Sequence, residues 1–504
     1  MSNADTKYGG SSSGPGAIYR KTKVEVTWVA WDWDSNQPKD PKDITIMALS
    51  FQWLKSIKNP ASRCVLTMLP QFSDSNYLDL MNPMDVIQIY EFDTLKFQGY
   101  ITRIGASGEI LPDGTPSRRV SLYISSFGEL ISNANLGVSL FLQSGWNSVP
   151  GGTYVKVGVQ IAQFVASLAT VMNNNQPYSS ALISVIDEWL NFVSEVGAPS
   201  FVTYFNYWIN YQTGMVGQAI YNTPSDPYLF SPQDNNINLL QIIYKYTQMP
   251  FNELFMDCGP RKIYSETDPL LSNVVSTDLV NNYDYLINRA TLFDGTINDY
   301  GTTCNLWSKL IDKVVPSSYI KRFDLNKTME ESYSLYLVAP AIFNPEDFAL
   351  IAMGTPVIDP VALNKYLLRE LHQNLFYKSN MPYPRYQDLQ LLNDSTPITI
   401  IQESKYKAQT LMNWFQYNDQ FLSGVVRIEV PSDETIDPRI GEKISFDNIN
   451  DAYFYVEGVS HTWTYGGEIT SDLTLTRGFG INGPISLKDK IFKRGIFALG
   501  NGFS

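Results

Sequence analysis

The chain has 504 residues, 44% of them hydrophobic, with a formal net charge of −13. That length supports roughly three or four domains with real cores and excludes a disordered chain. The acidic balance, with no run of Lys or Arg, argues against binding a partner whose phosphates must be neutralised.

Residues 1–20 lack an apolar stretch, and their Gly, Ser and Pro content reads as a flexible arm rather than a secretion signal. From Lys23 to Leu69 the sequence gives strands in "VEVTWVAW", "ITIMALSFQWL" and "SRCVLTML". Three more follow between Val86 and Ser125, with turns at Glu91–Thr94 and around Pro112–Pro116. Residues 21–135 are therefore expected to close into a small β-barrel module.

Residues 136–395 change character and are expected to be mixed helix and strand. The apolar run Val155–Met172 carries Lys156, Gln160, Gln163 and Ser167, which suits a buried helix better than a membrane span. "ALISVIDEWLNFVSEVG" places Ile183, Ile186, Leu190 and Val193 at helical spacing. "NNINLLQIIYKYTQ" reads as an Asn-capped helix with a face of Leu239, Leu240, Ile243 and Tyr246, and "PFNELFMDC" as a strand. "LINRATLFDG", "LWSKLIDKVV" and "MEESYSLYLVAP" continue as strand and helix, and "NKYLLRELHQNLFYKSN" is expected to carry His372 on a helix.

Residues 396–480 return to β patterning: a short helix in "SKYKAQTLMNWFQYN", the strand "GVVRIEV", and a hairpin from Phe454 to Gly478 that turns at Gly466–Gly467. This stretch repeats the order of the first module. Pro83 and Pro438 open a strand, Val86, Ile87 and Ile89 or Ile444 and Phe446 fill it, and a glycine precedes the next apolar positions at Gly99 and Gly458. An alternating strand closes each copy, Val120-Leu122-Ile124 or Leu473-Leu475. The expected fold class is α+β, mainly β, with two similar small β-barrel, tube-type modules flanking a mixed middle region. Residues 481–504 add Lys488, Lys490, Lys493 and Arg494 among Ile491, Phe492, Ile496, Phe497 and Leu499, a tail suited to docking on its own domain or on a neighbour.

The usual sets of catalytic residues are missing. There is no G-x-S-x-G elbow, no H-E-x-x-H and no Walker lysine loop. Cys64, Cys258 and Cys304 stand far apart without a C-x-x-C pair, so they read as free thiols of a reducing compartment and define no zinc site or disulfide framework. Nothing local pairs Cys304 with His372 or His461. The adjacent acids Asp187–Glu188, Glu330–Glu331 and Asp433–Glu434 read as solvated helix faces or turns, although fifty acids leave room for a glycan-cleaving pair. His461 lies in the hairpin with no second ligand nearby, which marks it as a structural residue. The expectation is no catalytic, cofactor-binding or metal-binding residue, and no enzyme activity.

The closing segment resembles the C-terminal signature of tail (baseplate) hub proteins of tailed bacteriophages and related contractile injection systems. The resemblance rests on Gly441, Glu442 and Ile444, on Tyr455, Val456, Val459, His461 and Trp463, on Gly466, and on Leu473, Leu475, Arg477 and Gly478, with Val456 one place early. "DVIQIY" and "FQGYITRI" resemble the family's first tube module, and "PFNELFMDCG" and "LINRATLFDG" its middle segment. The resemblance implies a homotrimer whose six modules form a pseudo-sixfold ring. Its neighbours would be a tail tube protein, a spike or tail-tip protein and a tape measure protein. DNA would pass through an acidic lumen without specific binding. The implied place is the virion tail, assembled in the host bacterial cytoplasm, with no membrane span. The hub of a tail-derived injection particle, or a glycan-binding or glycan-degrading virion protein using the aromatic-rich middle, remain the alternatives.

Overall fold

Alternation of buried and exposed side chains builds the first set of strands, β1 (Val24–Val29), β2 (Ala48–Ser56), β3 (Asn59–Met68), β4 (Val86–Glu91), β5 (Thr94–Ile110) and β6 (Pro116–Ser125). In β2, Phe51, Trp53 and Lys55 are buried while Gln52 and Leu54 are exposed, the two-residue period of a sheet with one covered face. The computed structural model describes residues 24–134, 178–211, 238–243, 252–258, 284–290, 296–297, 303–304, 312–340, 356–375, 408–429 and 438–480, apart from short breaks within them. The arm at 1–20, the helix expected over 155–172, Asp433–Glu434 and the tail at 481–504 lie outside the described residues.

The middle region contributes α1 (Gly128–Asn133), α2 (Tyr178–Glu195), α3 (Pro199–Trp208), β7 (Asn252–Cys258) and β8 (Asp284–Ala290). After it come β9 (Asp312–Val315), β10 (Ile320–Asn326), β11 (Leu335–Pro340), α4 (Pro360–Tyr366), β12 (Glu370–Leu375), β13 (Leu422–Glu429), β14 (Lys443–Phe446), β15 (Ala452–Thr464) and β16 (Thr470–Gly480). The fold is α+β and mainly β. Its main feature is one curled, 13-stranded sheet running β10-β13-β16-β15-β2-β3-β6-β5-β4-β1 and on to the short strand Lys42–Asp43, with β14 beside β15 and β9 beside β14.

Two sets of six strands lie within this sheet. Numbered by chain order, β1 to β6 are arranged 2-3-6-5-4-1, and β9, β10, β13, β14, β15 and β16 follow the same order. The likeness extends to single residues. Asp85 accepts from the Asn82 backbone N–H and Glu442 from that of Arg439, both at 2.9 Å. Met84 and Gly441, the residues just before these acids, take φ of 74° and 75°. Their N–H groups donate to the carbonyls of Ile101 and Val456, and the Ile101 and Val456 N–H groups donate back to Asp85 and Glu442. A register shift follows at once in each, between Ile101 and Arg103 and between Val456 and Gly458. Single 3-10 turns, Thr45–Met47 and Ser317–Tyr319, lead into β2 and β10, and both strands shift register one residue in, at Ala48/Ser50 and Ile320/Arg322. The two sets differ at the first strand, which is antiparallel to its neighbour as β1 on β4 and parallel as β9 on β14.

The second set therefore begins at Asp312, not at residue 396 as the sequence suggests. Its first two strands are short and split by Pro316, and β10 has an almost wholly solvent-facing burial pattern, so neither carries a strong strand signal. The two modules share one curled sheet, because β15 pairs directly with β2 and makes their strands continuous.

One apolar core runs under both modules and takes in Phe51, Leu66, Phe97, Leu122, Val426, Phe446, Phe454 and Leu473. Each such side chain stabilises the fold by roughly 1.5–3 kcal/mol relative to exposure. A second core joins α2 and α3 to the first module through Trp31, Phe127, Trp189, Tyr204, Phe205 and Trp208. The Tyr204 hydroxyl donates to the Met84 carbonyl at 2.7 Å, which supports the left-handed backbone there. Asn238 and Gln241 exchange side-chain-to-backbone bonds, the reciprocal cap expected of that helix start.

His372 lies on a strand rather than a helix. Asp359 caps α4 by accepting from Val361 and Ala362, but Leu367 takes a φ of 60° and ends it. The chain then runs as β12 parallel to β11, so pairing with a neighbouring strand overrides the apolar pattern that suggested a longer helix.

Gly424 has a φ of 151°, and a Cβ there would meet the Asp324 carbonyl oxygen of β10 at 2.0 Å. Gly424→Ala is expected to lower stability by about 2 kcal/mol or more, read as a fall in the urea midpoint at unchanged m-value.

Candidate functional site

The described residues place their densest set of buried charges where the two modules and the middle region meet. The module junction itself is the antiparallel pairing of β15 with β2, from Gly458 opposite Ser56 to Thr464 opposite Ser50. Phe51 stacks on Trp463 with ring centroids 5.3 Å apart, and Trp53 on His461 at 4.0 Å. The His461 Nδ1 lies 3.3 Å from Glu91 Oε1, and both residues are buried. Thus His461 is an inward-facing residue of a strand pair, and it meets an acid on β4.

Beside this pair, β7 joins the three parts. The Lys55 ammonium donates to Asp257 Oδ1 at 2.6 Å, to the Lys96 carbonyl at 2.7 Å and to Cys258 Sγ at 3.2 Å, so all its protons are used. Burial opposes its charge, yet the carboxylate of Asp257 and the neighbouring Cys258 hold its pKa above the ordinary lysine value. Arg439 of the second module donates to the Cys258 carbonyl at 2.9 Å, and Tyr455 donates to Glu253 at 2.9 Å. Glu442 accepts from Lys313 at 3.0 Å, which ties β9 to the same corner. The residues come from four distant stretches of the chain, and only the fold brings them together.

This corner is tightly packed. A cavity of about 10 Å³, near the size of a single water, is lined by Trp53, Lys55, Lys96, Asp257 and Arg439 among others. Burial pushes the Cys258 thiol up to about 12, so it is a poor nucleophile. Cys64 is buried in the core, and burial raises its pKa as well. His372 is exposed on the β11-β12 sheet, and Cys304 lies on a two-residue strand opposite Thr296. Asp187 accepts from the Tyr211 hydroxyl, Glu330 and Glu331 are exposed, and none of these acids lines the cavity. Among the described residues no group of three or more His, Cys, Asp or Glu could hold a metal ion, and no described helix is long and apolar enough to cross a membrane.

Sequence reading missed Lys55, Asp257 and Arg439. A signal for the first existed: Lys55 continues the inward register of Phe51 and Trp53, where a charge needs a partner.

No family model and no curated protein matches the chain. Among solved structures, it is similar to a tail protein from Neisseria meningitidis, at 10% identity and a TM-score of 0.45, over 90% of this chain and 96% of that one. It is likewise similar to the 43 kDa tail protein of prophage MuSo2 from Shewanella oneidensis, at 8% identity and a TM-score of 0.44, over 90% and 98%. A third is a Francisella PdpA-VgrG complex, at 9% identity and a TM-score of 0.39, over 92% of this chain and 59% of that one.

Two outcomes test the buried corner. Lys55→Ala leaves Asp257 without its closest cation and is expected to cost about 3–5 kcal/mol, measured by equilibrium unfolding. Burial raises Asp284, behind Cys258 on β8, from 3.8 to about 8. The folded state therefore holds a proton that the unfolded state releases, so this contribution is complete below about pH 4 and is lost as pH rises to about 8. Asp284→Asn is expected to flatten that decline in thermal midpoint and to raise the midpoint at pH 8.

Proposed function

We propose that this protein is a structural hub of a phage-type tail or baseplate: three copies form a ring of six modules that joins a tail tube to a spike and surrounds the conduit for DNA. The observation that carries this reading is the pair of modules with one strand order, fused edge to edge within a single chain. A chain that already holds two adjacent units of a ring needs threefold symmetry to present six similar edges to a sixfold tube, while its unlike middle region stays threefold. The sequence signature around His461 and Trp463 points the same way, and in the fold those residues belong to the module junction.

The hub has no catalytic step and works through rigid assembly. The face of the sheet opposite the core is rich in hydroxyl and amide groups at Gln52, Ser460, Thr462, Thr464 and Thr474. Its exposed Arg427 is matched by Asp472 through two bonds of 2.6 and 2.7 Å. Arg63, Arg103 and Arg119 are exposed in the first module. A hub of a tail-derived injection particle would share every feature named here and differ in its cargo. The glycan-binding alternative draws on Trp33 and Tyr207, both exposed beside the buried Trp31 and Tyr204.

The purified protein is expected to have three times the 57.0 kDa chain mass by light scattering and to show a ring with a central hole by electron microscopy. It is expected to release no sugar ends from cell-wall or capsule polymers. A monomer, or a depolymerase activity, would overturn the hub reading.

A further inference from the structure

The internal junction shows how one module receives the next, and the chain repeats both halves of that junction at its two free edges. At the junction, β15 pairs along its first half with β14 and along its second half with β2. Its counterpart β5 pairs along its first half with β4, from Thr94 to Tyr100. On that same side, residues 103–108 pair with no strand among the described residues, and Arg103, Ala106, Ser107 and Gly108 are exposed. The counterpart of β2 is β10, which ends the sheet and whose outer edge is unpaired among the described residues.

The side chains at these edges fit the missing pairing. Phe51 of β2 lies opposite Leu66, and Phe323 of β10 opposite Val426, the matching position one strand in. Phe51 is 1% exposed because β15 covers it, whereas Phe323 is 58% exposed. A core-facing phenylalanine left that open on an edge strand is an unfinished contact. The edge of β5 runs Gly105, Ala106, Ser107, Gly108, where β15 has Ser460, His461, Thr462 and Trp463, so the receiving strand is small where an incoming phenylalanine needs room.

We infer that β10 of one copy pairs antiparallel with the second half of β5 of a second copy, reproducing the β2–β15 junction between chains. Carrying the internal register over places Gly105 opposite Asn326, Ala106 opposite Leu325, Ser107 opposite Asp324, Gly108 opposite Phe323 and Glu109 opposite Arg322. Because the two edges differ, the contact is head-to-tail and propagates until it closes. Only the number of copies at closure rests on the hub reading above.

Opposed residues of antiparallel strands have Cα atoms roughly 4.5–5.5 Å apart, within disulfide range, whereas a two-residue offset moves them out of it. The test is oxidation of the full chain carrying Ser107→Cys with Asp324→Cys. The controls are each single variant and the offset pair Ser107→Cys with Arg322→Cys, with the mass followed by light scattering. The expected result is a ladder of chain-to-chain cross-links on a non-reducing gel for the in-register pair and none for the controls. A stable oligomer that cross-links in no variant, or equally in the offset pair, overturns the edge pairing and leaves the ring standing. A cross-link confined within single chains shows that β10 meets β5 of its own chain and also overturns it. A chain monomeric at every concentration overturns both.

Discussion

A strand at the edge of a sheet carries a row of backbone donors and acceptors that must be paired, covered or kept in water. That constraint organises this protein. β2 would be an edge strand in an isolated first module, and β15 satisfies it along seven residues. The junction also decides which side chains can be aromatic. Trp53, Phe51, His461 and Trp463 stack there because two sheets meet, while the equivalent positions on β5 are small.

The buried ions depend on the same meeting. Lys55 lies in β2, Asp257 in β7 and Arg439 just before β14, so their charges are satisfied only when both modules and the middle region are in place. Such a corner adds little net stability over a well-packed apolar one, but it penalises any other arrangement by leaving a charge unpaired. The corner therefore acts mainly on geometry. It fixes the angle at which the second module leaves the first, and any ring built from this chain inherits that angle.

Much of the sheet was legible in the sequence. Strands such as β3, β6 and β16 alternate cleanly, and the repeated apolar strands, with Ile87 and Ile89 matching Ile444 and Phe446, pointed to two copies of one module, although Pro83 falls opposite Ile440 and Gly99 opposite Phe454 in the fold. The acid that accepts from the residue three places before it, Asp85 or Glu442, was visible in hindsight as "NPMD" against "RIGE". The failures share a cause. β9 and β10 take their place from long-range pairing rather than pattern, and β12 became a strand because β11 lay beside it. The charged corner was illegible because its members are about two hundred residues apart, and nothing local to Asp257 signals a lysine at position 55.

The join between β2 and β15 links residues that stand far apart in synthesis; Gln52 and Ser460 are separated by 408 positions. Contacts of such high sequence separation form late, because loop closure must precede them. A ribosome making this chain completes the first module long before β15 emerges, so β2 waits with an open edge while most of the polypeptide is made. In a crowded cell many nascent copies would present that edge at once, and the free second half of β5 in a finished chain is the closest imitation of the strand that should take it. Translation speed and chaperone binding over the middle region thus become determinants of whether chains join in the right order.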